Sequence, residues 1–368
     1  MDPTPANASG SNRNPRRRRR LVSAAALAVA SVVLAACNGT WGVRSSFRTY
    51  AAGPGGGQIT TQEGVEWLDG PGPGKGPFRW QVEWATFDNN TDTGTVQFSG
   101  GATMKAHAAG TSHVLDVSIW NPRLEIAGTT GTLVADLNYR PYQGTNPNPL
   151  PSLQAALDVP FATVDLSAQT LNPDGSGNYS ITDAPMTGMN AAMTLIGFDQ
   201  FYGSNVALDP ITASFNPDLS PKTLANTPRV VVSRTEDLRP GDQITVWGYG
   251  FDPTANPGTR PPLTGQPTGT YGIFGKFASA WQPSTGAAAA TRTVVDQKWA
   301  LPASSRAILD PTGTGAAYVT IDSSGRFEAI VTVNTSTSTN PNYGVFTYPG
   351  SGAVNAAYET QTLVTFAP

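Results

Sequence analysis

Two histidines, a lone cysteine, and one tyrosine four residues behind a serine are the side chains with which this sequence could do chemistry. His107 and His113 both fall in "MKAHAAGTSHVLD", and there is no third. A histidine metal site would have to use these two, completed at most by carboxylates, and their separation matches no standard zinc pattern. In "WGVRSSFRTY", residues 41–50, Ser46 and Tyr50 stand at i and i+4, so a helix here presents both on one face. A free phenol ionises only near pH ~10, so a phenolate at neutral pH needs a stabilising partner.

Familiar catalytic motifs do not form. Asp92-Thr93-Gly94 has the triplet of aspartic proteases, but that chemistry needs two carboxylates sharing a proton and there is no second triplet, so the segment reads as a turn. "GPGPGKGP" (70–77) has no Ser or Thr after Lys75, and its prolines remove the N–H donors that a phosphate needs. "GTSHV" lacks the closing glycine of a nucleophile elbow, and spacing assigns no serine–histidine–acid triad.

The N-terminus reads as a processing segment. Arg16 to Arg20 precede the uncharged "LVSAAALAVASVVLAA", which is too short and too rich in small flanking residues for a convincing membrane span. Leu34-Ala35-Ala36-Cys37 resembles a bacterial lipobox, so residues 1–36 are expected to be removed and Cys37 to carry a lipid. The arginine run leaves both the general and the twin-arginine export routes open. Removal takes away six arginines and Asp2, leaving 17 basic and 25 acidic residues, a net charge of −8. That balance argues against nucleic acid as a partner. Attachment to the outer face of the membrane or envelope would come from the lipid. With Cys37 consumed, no disulfide or cysteine metal site remains.

The elements that must position these residues are mostly strands. Glycine (39) and proline (31) are abundant, charged residues are only 13%, and 39% are hydrophobic, which suggests many short strands and turns. From residue 94 onward the pattern alternates, with Val96 and Phe98 on one side and Leu115, Val117 and Ile119 on one side. Helical signals are confined to "WGVRSSFRTY" and "SLQAALDVP", where Ser152 could cap a turn ended by Pro160. Residues 215–228 read as a linker between an all-β region (38–214), sandwich-like with one or two short helices, and a second β region (229–368). The second region is expected to be an immunoglobulin-like sandwich, with a hairpin around Asp322-Ser323-Ser324-Gly325 and a final strand in "ETQTLVTFAP".

Several motifs in order resemble the HtaA-type domain, a haem-binding module of Gram-positive surface proteins. These are Trp41-Gly42-Val43-Arg44-Ser45-Ser46-Phe47-Arg48-Thr49-Tyr50, "FSGGATMKAH" ending in His107, "LDVSIWNPRLEIAG", "GTLVAD" (131–136) and "FYGSNVALDP" (201–210). The likeness covers about residues 40–214. It implies that Tyr50 is the axial ligand of ferric haem b, that His107 hydrogen-bonds its phenol oxygen, and that Ser46 contacts a propionate. Arg44 or Arg48 could offset propionate charge. His113 competes with His107 for the supporting role, and the two histidines together are a further option. The family has an aromatic and a glycine just before its histidine, where this chain has Met104, Lys105 and Ala106. The resemblance implies a surface lipoprotein, not an enzyme, that takes up haem and passes it to another haem-binding or transport protein. The alternatives are a structural or adhesive surface lipoprotein without haem, or a cell-wall polymer hydrolase with carboxylates converging in a cleft.

Overall fold

The computed structural model describes residues 37–53, 56–70, 72, 74–219 and 227–368. The expected signal segment, and residues 220–226 of the expected linker, lie outside the described residues. Within the first region, alternation and β-branched or aromatic residues produce eleven strands: β1 (Asn38–Trp41), β2 (Gln58–Gln62), β3 (Glu66–Trp67), β4 (Phe78–Asp88), β5 (Thr93–Ser99), β6 (Gly101–Ala109), β7 (Ser112–Ala127), β8 (Thr130–Tyr139), β9 (Gln154–Asp165), β10 (Tyr179–Gly188) and β11 (Ala207–Phe215). Three short helices accompany them: α1 (Ser45–Ala51), α2 (Asn190–Leu195) and α3 (Asp199–Tyr202).

Antiparallel pairings run β7–β5–β4–β1–β11–β10–β9–β8 and return from β8 to β7, so the sheet closes on itself. The expected sandwich-like layer is thus realised as a curled, closed sheet without an edge along that ring. One core cluster fills it, from Trp41 through Trp80 and Phe98 to Phe161 and Phe215, with Trp41 stacked on Trp80 at 5.4 Å. Val96 and Phe98 are fully buried, as their alternation requires.

β5 and β6 share β7 as partner, one after the other along its length. Between them Asn121 adopts a left-handed φ of 45°, donates its backbone N–H to the Gly100 carbonyl, and accepts the Gly100 N–H on its side-chain oxygen. The break lets β5 stay in the closed ring while β6, with β2 on its far edge, extends beyond it.

The second region has a three-stranded sheet, β12 (Arg229–Val232), β13 (Gln243–Tyr249) and β17 (Phe327–Thr332). Its five-stranded sheet has the order β16 (Tyr318–Ile321), β15 (Arg292–Pro302), β14 (Thr270–Phe277), β18 (Asn342–Pro349) and β19 (Gln361–Leu363). Ile244, Val246, Ala329 and Val331 from the first meet Phe274, Ala300 and Val345 from the second in one cluster, the arrangement of a two-layer sandwich.

Two local expectations are corrected. "SLQAALDVP" is not helical but belongs to β9, paired with β8 from Tyr139↔Gln154 onward. So short a helix would leave most of its backbone groups unpaired, whereas the ladder satisfies them. The Asp322–Gly325 turn does not close a hairpin: β16 pairs in parallel with β15, and β17 pairs with β13 in the other sheet. The Asp322 carboxylate accepts the N–H groups of Ser324 and Arg326, making a corner between the layers.

The two β regions do not behave as beads on a string: Cys37–Pro368 form one compact unit. β8 is buried on both faces from Leu133 to Tyr139 because the second region covers its outer side. There the Trp247 ring packs at a tilt against Trp120, with ring centres 4.8 Å apart, and donates its indole N–H to Asp136 at 2.8 Å, Asn138 donates to the Gln243 carbonyl, and Arg234 pairs with Asp116. Among the described residues, no helix is long and apolar enough to cross a membrane.

Candidate functional site

α1 is amphipathic, and its two faces have different work. Phe47 and Ala51 are buried, Phe47 meeting the ring of Phe198 edge-on at 4.5 Å. Ser46 and Tyr50 lie on the exposed side, four residues apart as the sequence requires. Asp209 caps the helix, one carboxylate oxygen accepting the Ser45 N–H at 3.0 Å and the other pairing with Arg48.

Arg48 is 1% exposed and is an anchor rather than a ligand group. It donates to the carbonyls of Gly76 (2.7 Å), Lys75 (2.9 Å) and Gly42, and its guanidinium lies 5.9 Å from the Phe78 ring centre. The option that it meets a ligand carboxylate is therefore overturned: its donors face the fold. Gly42 is required beside it, because a Cβ there would collide with the guanidinium.

Tyr50 is 46% exposed, and its hydroxyl is hydrogen-bonded to Nε2 of His107, 57 residues away, with ring centres 5.5 Å apart. His107 adopts a left-handed φ of 55° inside β6, uncommon for a residue with a side chain. The ladder with β7 is recorded at Ala106↔Leu115 and again at Ala108↔His113, skipping this step. The twist turns the imidazole out of the strand's alternation and toward α1. Close approach of α1 to β6 depends on Gly57, whose Cβ would strike the Ala51 carbonyl and lie 2.9 Å from that of Lys105. His113 donates from Nε2 to the Gly56 carbonyl at 2.9 Å. The structure thus sets His107, not His113, against the tyrosine, while His113 ties down the loop behind α1. Met104, two strand positions before Ala106, is fully buried in the core.

Ser46 Oγ accepts from Arg44 Nε at 3.0 Å and lies 3.2 Å from the Tyr202 hydroxyl. Arg44 also donates to the Ala207 carbonyl and stacks 4.5 Å from the Tyr202 ring centre. If Tyr202 donates to Ser46, the serine's own O–H is left to donate outward, beside a fixed positive charge. Partial burial, and then the neighbouring Tyr142 and Tyr202 hydroxyls, raise the Tyr50 pKa above its ordinary value, so the phenol stays protonated. Phe201, 49% exposed, packs on Tyr142 at 4.9 Å and widens the aromatic surface. Tyr142, Phe201 and Tyr202 had no role in the sequence reading. The motif "FYGSNVALDP" was the available signal, since it contains Phe201, Tyr202 and the capping Asp209.

Cys37, the expected lipid site, is 5% exposed, burial raising its thiol pKa, and β1 begins at the next residue. The carboxylates of Asp136, Asp158 and Glu328 also converge, each offering an oxygen within 4.8 Å of the others. They border a cavity of about 480 Å³ between the two β regions that Trp84, Tyr249 and Arg326 also line. Burial lifts Asp136 to about 6, although both its oxygens already accept N–H groups, from Asp158 at 2.9 Å and Trp247. Asp158 in turn pairs with Arg123 at 2.9 Å. This is the convergence of acids that a hydrolase would need, but its buried member is already engaged in joining the two regions.

The site is a shallow aromatic surface beside a closed β-sheet, centred on a tyrosine–histidine pair. Residues 36–214 match the family model HtaA, described as "Htaa". Among solved structures, the N-terminal domain of HtaA from Corynebacterium glutamicum is similar at 27% identity and a TM-score of 0.41, covering 49% of this chain and 97% of its own. The heme binding protein HtaB from the same organism is 22% identical with a TM-score of 0.38, covering 48% and 90%. The C-terminal domain of HtaA is 23% identical, also with a TM-score of 0.38, covering 48% and 94%. No curated protein matches the chain.

Proposed function

We propose that this protein captures ferric haem at the Tyr50–His107 face, on the outer side of the cell membrane or envelope, and hands it to another haem-binding or transport protein. The observation that carries this reading is the exposed Tyr50 hydroxyl bonded to His107. The family-model match over residues 36–214 supports it. Ferric haem b, when bound, would supply the Lewis acid that lets Tyr50 serve as a ligand near neutral pH. In the free protein, the protonated Tyr50 phenol donates a hydrogen bond to His107 Nε2. With haem bound, that nitrogen would hold the proton and donate it in a hydrogen bond to the Tyr50 oxygen, orienting it. Tyr142, Phe201 and Tyr202 offer aromatic surface to a flat macrocycle, and Ser46 with Arg44 offers donors to a propionate. A lipid on Cys37 would hold the closed sheet at the membrane without a spacer, and it requires that side chain to leave its buried place. The membrane, the haem and the receiving protein are then the partners, and nucleic acid is not among them.

Titration of the purified chain with haemin tests this. Wild-type protein should show a saturable ferric spectrum, lost in Tyr50→Ala, altered in His107→Ala and preserved in His113→Ala. An unchanged spectrum in Tyr50→Ala overturns the ligand assignment. Absence of any spectral change in the wild type would favour a structural surface lipoprotein.

A further inference from the structure

Resting on the reading above, we infer that the second β region is a working part of the tyrosine–histidine site: Arg234, through Asp116 and Lys105, holds β6 in the conformation that aims His107 at Tyr50. A left-handed φ at a histidine inside a strand is a strained conformation that persists only where the surroundings fix it. The residue that fixes it from below is Lys105, two positions earlier on the same strand. Its backbone is paired on both edges, with Gln58 of β2 on one side and Asp116 of β7 on the other. Its carbonyl also lies under Gly57, in the segment that follows α1.

Asp116 is 2% exposed, and its position is set from the second region. Arg234 grips both carboxylate oxygens, at 2.5 and 3.1 Å, with 9% of its side chain exposed. Burial alone would raise the Asp116 carboxyl, but the charge and hydrogen bonds of Arg234, with Lys105 and Arg140, hold it below the ordinary carboxylate range. Lys105 feels Arg234 and Arg140 as repelling charges and Asp116 and Asp237 as attracting ones. The Asp116 carbonyl also accepts the Arg140 N–H at 2.8 Å. With Arg234 in place, Lys105 is kept off the carboxylate. Without it, a buried anion remains and draws the Lys105 ammonium toward β7, pulling β6 away from α1. Arg234 is therefore a positioning residue.

The link can be read without haem. His107 and His113 are the only histidines in the chain, so labelled imidazoles give two resolvable sets of NMR signals in the haem-free full chain. Tyr50→Phe marks where the His107 Nε2 signal falls once its hydroxyl partner is gone. Arg234→Met should move that signal most of the way to this mark, and Arg234→Lys should restore a good part of it. Haemin should dissociate about tenfold faster from Arg234→Met. If Arg234→Met does not fold, Arg234→Gln keeps a donor to the Asp116 carboxylate without the charge and should displace the same signal. A folded variant whose His107 signal stays at the wild-type position overturns the inference. A wild-type chain that binds no haemin overturns the functional reading instead, and the NMR arm still decides the positioning link.

Discussion

Arg48→Met separates anchoring from ligand contact at the motif arginine. Methionine keeps the apolar stem and removes every donor, leaving the carbonyls of Gly42, Lys75 and Gly76 and one oxygen of Asp209 without their partner. Removing one member of a fully buried ion pair costs about 3–5 kcal/mol, and each stranded buried carbonyl about 1–3 kcal/mol. Asp209 is 21% exposed and keeps the Ser45 N–H, so water relieves part of this. The working figure is about 3 kcal/mol, near the low end of the range. Arg48→Lys should fall between the two, because a lysine cannot span four acceptors pointing in different directions. Urea unfolding followed by tryptophan fluorescence measures the loss, with the midpoint falling at unchanged slope. A loss under about 1 kcal/mol refutes the anchoring argument. An arginine that instead met a propionate would show the opposite pattern, with unchanged unfolding and weakened haemin binding.

Three further outcomes follow from the geometry. Gly57→Ala should push α1 off β6, costing about 1–3 kcal/mol by urea unfolding and moving the His107 imidazole signal toward its Tyr50→Phe position. Asp136, lifted to about 6 by burial, binds its proton more tightly folded than unfolded. Its contribution should therefore favour folding below about pH 4 and fade as pH rises to 6, by about 3 kcal/mol in all; Asp136→Asn should lose that slope in unfolding measured from pH 4 to 7. Tyr50's phenol is raised above its ordinary pKa, so haemin binding must release its proton or pass it to His107. Affinity should fall with acidification more steeply in His107→Ala than in the wild type, approaching about tenfold per pH unit, and equal slopes would show that His107 does not take the proton.

What the sequence disclosed was local. Ser46 and Tyr50 share a face because helix geometry alone decides it, and Val96 and Phe98 are buried because pleating alone decides that. Long-range partners were not legible. Tyr202 reaches Ser46 across 156 residues, and nothing between them predicts that β11 returns beside β1. Arg48 was ambiguous because an arginine looks the same whether its donors face solvent or three carbonyls. β9 was misread because "QAAL" suits a helix locally and only the pairing with β8 decides otherwise. Alternation faded in β8 for a different reason: the second region buries its outer face, and no periodicity within one strand announces a neighbour a hundred residues on.

The filled interior of the closed sheet explains why the site lies outside it. Trp41, Trp80, Phe78, Phe98 and Phe161 are all buried to 0% within the first core, leaving that interior no room for a macrocycle. The proposed haem would therefore have to be held on the surface, by residues that do not belong to the ring itself. Tyr50 comes from a helix braced by Arg48 and Asp209, and His107 from the stretch of β6 that continues past the ring after the Asn121 break. Surface placement leaves Tyr50 46% exposed and reachable by solvent, which suits the proposed role of capturing haem and releasing it. It also leaves the strained histidine without the support of a surrounding core. That support has to come from elsewhere, and the buried Asp116–Arg234 pair two strand positions below is where the structure supplies it.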